Sequence, residues 1–153
     1  MAERTLLANA QLLTCSGDPD EKPFDGDVLI EGNRIARVAA GRIDAASARV
    51  VDLDGATVLP GLGDAHTHIS WPLDFEFDHA AVAATPAGRH MLDVAAVTRT
   101  FLESGYTLII GAGATQPLDD LLARDAIEAG LIPGPRLAAA GWRESELCQK
   151  MRT

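Results

Sequence analysis

The chain changes character at Pro60-Gly61, and that change constrains its fold more than any other feature of its 153 residues. Before it, short apolar runs alternate with turn residues and no helix signal appears. After it, strand-like and helix-like segments alternate, the pattern that builds parallel α/β sheets and barrels. The reading therefore divides the chain into a small β-rich domain over 1–60, an α/β part over 61–141 and a polar tail over 142–153.

Within the first domain, Leu6 to Leu13 is a candidate strand. Val28-Leu29-Ile30 and Ile35-Ala36-Arg37-Val38 flank Gly32-Asn33, two residues that tolerate the positive φ of a tight hairpin. A second hairpin is expected where Arg49–Leu53 and Ala56–Leu59 meet across Asp54-Gly55. Together these strands predict a β-sandwich-like module.

Beyond Gly61, Leu62 to Ile69 reads as the first parallel strand. Thr85-Pro86 pairs a capping hydroxyl with proline at the first helical position, and Met91, Val94, Ala95, Phe101 and Leu102 supply an apolar face that ends at Gly105. Tyr106 to Ile110 is a buried strand running into Gly111-Ala112-Gly113, a strand-to-helix turn. Pro117 opens another helix with Leu118, Leu121, Leu122 and Ala126 on one face, and Asp119 and Asp120 beside its positive amino end. Gly130 closes it, and Arg136 to Gly141 forms a third strand. From Trp142 the pattern is lost.

Composition narrows the function classes. Apolar residues at 47% against 23% charged describe a globular chain that buries a core. A net charge of -9 with no Lys/Arg cluster opposes nucleic acid and anionic lipid as partners. Asn9 and Gln11 interrupt the opening apolar run before a leader can form, and no run approaches the ~18 to 20 residues of a membrane helix, so no membrane association is expected. Cys15 and Cys148 lie near opposite ends with no metal or disulfide spacing, which makes the reduced cytoplasm the default compartment. A homo-oligomer is compatible with all of this.

The chemistry rests on Asp64-Ala65-His66-Thr67-His68. Residues two apart on a strand share a face, so His66 and His68 present two imidazoles to one ion while Thr67 points the other way. Asp64 shares the histidine face and is expected to orient a ligand. An isolated His-x-His is more often a pair of hydrogen-bonded histidines; its setting gives this one weight.

Val58-Leu59-Pro60-Gly61-Leu62-Gly63-Asp64-Ala65-His66-Thr67-His68 resembles the Pro-Gly-Leu-x-Asp-x-His-x-His signature of the amidohydrolase superfamily. Gly63 departs from it, since a bulky apolar residue is commoner there. Gly130-Leu131-Ile132-Pro133-Gly134-Pro135-Arg136 followed by Ala139-Ala140-Gly141 is similar to the approach to the third barrel strand in imidazolonepropionase-like and Xaa-Pro-dipeptidase-like members. The resemblance covers roughly residues 4 to 141. It implies a partial (β/α)8 TIM-type barrel, about its first three β/α units, behind the β-sandwich-like domain.

It also implies a divalent metal, most commonly Zn²⁺, held in part by His66 and His68. The activity implied is hydrolysis of a carbon–nitrogen bond in a small-molecule amide-type substrate by metal-activated water. The family's remaining ligands and catalytic aspartate come from later strands, so no catalytic residue is assigned here. Lys22 and Lys150, the only lysines, are not placed to bridge two metals. The alternative expectation is a non-catalytic fragment that lacks those ligands.

Trp71 to His79 follows the metal strand and is expected to pack over the strand ends rather than to touch substrate. Asp74, Glu76 and Asp78 read as a solvated acidic loop. His90, beside Arg89 on the first predicted helix, reads as a solvated surface residue.

Overall fold

Residues 3–71, 78–116 and 118–140 are described by a computed structural model of the protein, the side chains of 79 and 83 excepted. The expected polar tail over 142–153, Lys150, Pro117, Asp74 and Glu76 lie outside the described residues. The chain divides into two compact units, Met1–Pro60 and Gly61–Thr153.

In the first unit β1 (Arg4–Leu12), β2 (Phe24–Glu31) and β3 (Arg34–Ala40) form an antiparallel meander. At the β2–β3 turn Gly32 takes a positive φ of 59° and Asn33 does not. The strands β4 (Arg49–Asp52) and β5 (Thr57–Val58) differ from expectation. They do not pair with each other across Asp54-Gly55; both run parallel to β1, in one mixed sheet ordered β3-β2-β1-β4 with β5 also on β1.

The reason lies at Asn9. β1 advances three residues from Leu7 to Ala10 while β2 retreats two from Val28 to Gly26, so β1 carries one extra residue there. Asn9 has φ of 58°, and its N–H donates to Asp27 Oδ1 at 3.0 Å. Leu53 N–H and Gly55 N–H donate to the carbonyls of Ala8 and Asn9, which carries the chain past the bulge without reversing it. A one-residue bulge exchanges the faces of a strand. Leu6 accordingly packs with Leu29 and Ile43, whereas Ala10 and Leu12 pack with Val28.

In the second unit β6 (Leu62–Thr67), β7 (Tyr106–Gly111) and β8 (Arg136–Ala138) form a parallel sheet in that order. The crossovers are α1 (His79–Ala84) with α2 (Ala87–Glu103), and then α3 (Asp119–Glu128). The α/β class expected beyond Gly61 is the class found. α2 packs on β7 and α3, and α3 on β8. Ile69, Val94, Val97, Ile109, Ala123 and Leu137 form the core between them.

Three local details correct the sequence reading. Thr85 closes α1 instead of capping α2: its hydroxyl donates to the Ala81 carbonyl, and Pro86 occupies the cap position of α2 with no side-chain cap bond. Asp78 caps α1 by accepting from Ala80 N–H and Ala81 N–H at 2.8 and 3.2 Å. The inner face of α3 is Asp119, Asp120 and Ala123, while Leu118 and Leu122 are half exposed. Asp119 turns inward because the loop before α3 offers it a donor, Gln116 N–H reaching its Oδ2 at 2.9 Å, while Asp120 Oδ1 accepts from Leu121 N–H at 3.0 Å.

Candidate metal centre

β6 is seated closely against β7, beginning at its amino end. A Cβ on Gly61 would land on the Thr107 side chain, so only glycine lets the chain enter the sheet here. Leu62 N–H then donates to the Gly105 carbonyl, Thr67 Oγ1 donates to the Ile110 carbonyl, and Ala112 N–H donates to the Thr67 carbonyl. Thr67 is buried, as its position on the face opposite the histidines predicts.

Asp64 Oδ1 accepts from the backbone N–H of His66 at 2.9 Å, which fixes the chain before the first imidazole. His66 lies within β6; His68 lies one residue beyond its end. Their rings stand edge to face, with centroids 5.2 Å apart at 79°. Trp71 stacks on the other side of His68, at 4.1 Å and 10°. His68 Nδ1 is 3.1 Å from the carbonyl oxygen of Gly113 in the loop after β7. His66 is exposed and His68 half-buried, so the pair faces outward from the carboxyl end of the strand.

The profile of the amidohydrolase family matches residues 57–145, more than half of the chain and all of this strand end. The chain belongs to the amidohydrolase family. It is 33% identical to a dihydroorotase of Syntrophotalea carbinolica, over 76% of this chain and 23% of that protein. It is 34% identical to an imidazolonepropionase of Anaeromyxobacter dehalogenans, over 81% of this chain and 29% of that protein. Among solved structures it is similar to an amidohydrolase, with TM-score 0.76 and 32% identity over 91% of this chain and 32% of that one. It is also similar to a Xaa-Pro dipeptidase with bound methionine, with TM-score 0.74 and 28% identity over 92% and 34%. The chain thus spans roughly a quarter to a third of the length of these four proteins.

The donor set of this amidohydrolase chain fits part of a metal site. Two imidazoles on one tetrahedral ion, at about 2.0–2.1 Å per nitrogen, place their ring centroids about 5 Å apart. The observed 5.2 Å meets that requirement. Among the described residues no group of three or more His, Cys, Asp or Glu gathers to complete a site. His79 begins α1 and Asp78 is spent on capping it. Lys22 belongs to the first unit.

His90 is a correction. It is buried rather than solvated, and its Nε2 lies 2.9 Å from Asp119 Oδ2 and 3.1 Å from Thr115 Oγ1. Thr115 in turn donates its N–H to Ser70 Oγ at 2.9 Å and its hydroxyl to the Ser70 carbonyl at 3.1 Å. Gln116 Nε2 donates to the Val82 and Thr85 carbonyls. This buried polar chain ties the loop after β6 to the loop after β7. Spacing carried a signal for it: His90 shares the stripe of Val94, Val97 and Thr98, the buried face of α2.

Proposed function

We propose that the protein is a metal-dependent hydrolase of carbon–nitrogen bonds in small molecules: a cyclic amide, an N-acyl amino acid or a dipeptide. His66 and His68 are its metal ligands, and Zn²⁺ is the ion. The observation that carries the reading is the pair of imidazoles 5.2 Å apart at the carboxyl end of β6, in a chain of the amidohydrolase family. A bound divalent metal lowers the pKa of its water toward ~7 and polarises the scissile carbonyl. The chain's own contribution is to orient: Asp64 holds the backbone of His66, and Trp71 and Gly113 hold the ring of His68.

In this reading residues 61–141 are the first strands and helices of a (β/α)8 barrel, residues 1–60 supply one sheet of a small β-sandwich-like domain, and 142–153 are a divergent tail. The protein works in the cytoplasm. The ligands beyond His66 and His68 come from outside the described residues.

The test is an assay of the protein as its gene encodes it, on cyclic amides, N-acyl amino acids and Xaa-Pro dipeptides, with zinc and after chelation. Zinc-dependent turnover that His66→Ala abolishes supports the proposal. Activity indifferent to His66→Ala, or no metal-dependent hydrolysis of any amide, ester or carbamate, overturns it. A second reading, a chain without catalysis of its own, is favoured by the gathering of only two candidate ligands among the described residues. Folded protein that holds stoichiometric zinc and turns over would refute that reading.

A further inference from the structure

The ring of His68 has two nitrogens, and a neutral imidazole carries a proton on one of them. A backbone carbonyl only accepts hydrogen bonds, so the nitrogen facing the Gly113 oxygen at 3.1 Å is the protonated one. We propose that Gly113 is a positioning residue: its carbonyl holds His68 in the Nδ1–H tautomer and leaves the Nε2 lone pair for the metal. The inference deepens the proposed metal site and rests on that reading.

Three features make this carbonyl a fixed acceptor. Gly113 has φ of 127°, a conformation L side chains rarely adopt, so the direction of its carbonyl depends on the missing Cβ. The chain is pinned on both sides of it to residues flanking His68. Ala112 N–H donates to the Thr67 carbonyl at 2.7 Å, and Thr115 is bound through its N–H and its hydroxyl to Ser70. The Trp71 ring, stacked at 4.1 Å, resists rotation of the imidazole away from the acceptor. Thr115 is itself held by buried His90, which is held by Asp119. The buried pair therefore sets the loop that sets the tautomer.

The same geometry gives the Gly-x-Gly after β7 a role beyond turning the chain. Gly111 ends the strand within the sheet, while Gly113 turns its carbonyl to the histidine just beyond the neighbouring strand. Partners of this kind on the far nitrogen of a metal-binding histidine fix its orientation and raise its basicity, and their loss costs about 10–100-fold in metal affinity.

The experiment is a ¹⁵N–¹H correlation of the histidine rings in the metal-free 153-residue chain at a pH where they are neutral, followed by zinc titration against a chromogenic chelator. In the wild type, His68 is expected to show a pyrrole-type Nδ1 and a pyridine-type Nε2. Gly113→Ala should return His68 to a tautomer mixture and weaken zinc binding about 10–100-fold, leaving the tautomer of His66 unchanged. Thr115→Val should move both readouts the same way by less, because its backbone bond to Ser70 survives.

A pyridine-type Nδ1 in the wild type overturns the proposal whether or not a variant folds. So does a folded Gly113→Ala chain with the wild-type tautomer and affinity. The two readings separate cleanly. A wild type with the Nδ1–H tautomer that takes up no zinc upholds the positioning and overturns the metal site; zinc uptake lost in His66→Ala with the Nε2–H tautomer does the reverse.

Discussion

His90 Nε2 stands 2.9 Å from Asp119 Oδ2, and each side chain is only 5% exposed. The two residues come from different helices, 29 positions apart, and meet inside the second unit. A buried pair of this kind is costly to break from one side, because the remaining partner keeps its desolvation without its bond. His90→Ala and Asp119→Ala should each lower unfolding stability by about 1–3 kcal/mol. The double variant should cost less than the sum, since the two changes remove the same bond. Urea unfolding of the four proteins measures this, and additive losses would show that the pair acts as two separate residues.

Glu21 governs the loop between β1 and β2. Its carboxylate accepts from the Thr14 hydroxyl and N–H and from the Ser16 N–H and hydroxyl. These bonds, the Thr14 hydroxyl first, hold its pKa below the ordinary 4.5. A carboxylate whose folded pKa is depressed contributes stability that is present above the unfolded value and lost as pH falls through the folded one. A ¹³C carboxyl titration should therefore give Glu21 a midpoint below 4.5, and Thr14→Val should move it back toward that value. An unchanged midpoint in the variant would remove the hydroxyl as the cause.

What could be read in the sequence was what local chemistry decides. The end of β6, the apolar run of β7 and the glycines after α2 and α3 each carry their signal within a few residues. Asp54-Gly55 was misleading because positive φ serves a hairpin and a bulge crossing equally well, 49° and 77° here. The choice is made by β1, more than forty residues earlier, whose bulge at Asn9 accepts both following strands in parallel. His90 was misleading for the same reason. A histidine on an apolar stripe is a surface residue or a buried donor according to what faces it, and Asp119 and Thr115 come after another strand. The approach of the His66 and His68 rings was legible because residues two apart share a strand face, whereas the contact of His68 with Gly113 was not, because it exists only between the segments that follow β6 and β7.

Gly61 tests how tightly the two strands meet. A Cβ there would collide with Oγ1, Cγ2 and Cβ of Thr107. Gly61→Ala should destabilise the second unit by about 1–3 kcal/mol through overpacking. Thr107→Ala removes two of the three offending atoms, so in the double variant part of the loss should return. Thermal unfolding of the single and double variants measures the coupling, and no recovery would place the strain elsewhere than at this contact.

Metal should act on stability as well as on chemistry. An ion that binds the folded His66–His68 pair and not the unfolded chain stabilises by mass action, about 2.7 kcal/mol at a free concentration one hundred times Kd. The wild-type chain should unfold at higher urea with zinc than with chelator. His66→Ala and His68→Ala should each abolish the difference while leaving the metal-free midpoint close to wild type, since His66 is exposed and His68 only half-buried. Retention of the zinc shift in either variant would mean that the two rings, 5.2 Å apart, do not share an ion. Loss of the shift in both, with the fold intact, would tie the strand end to the metal independently of any substrate.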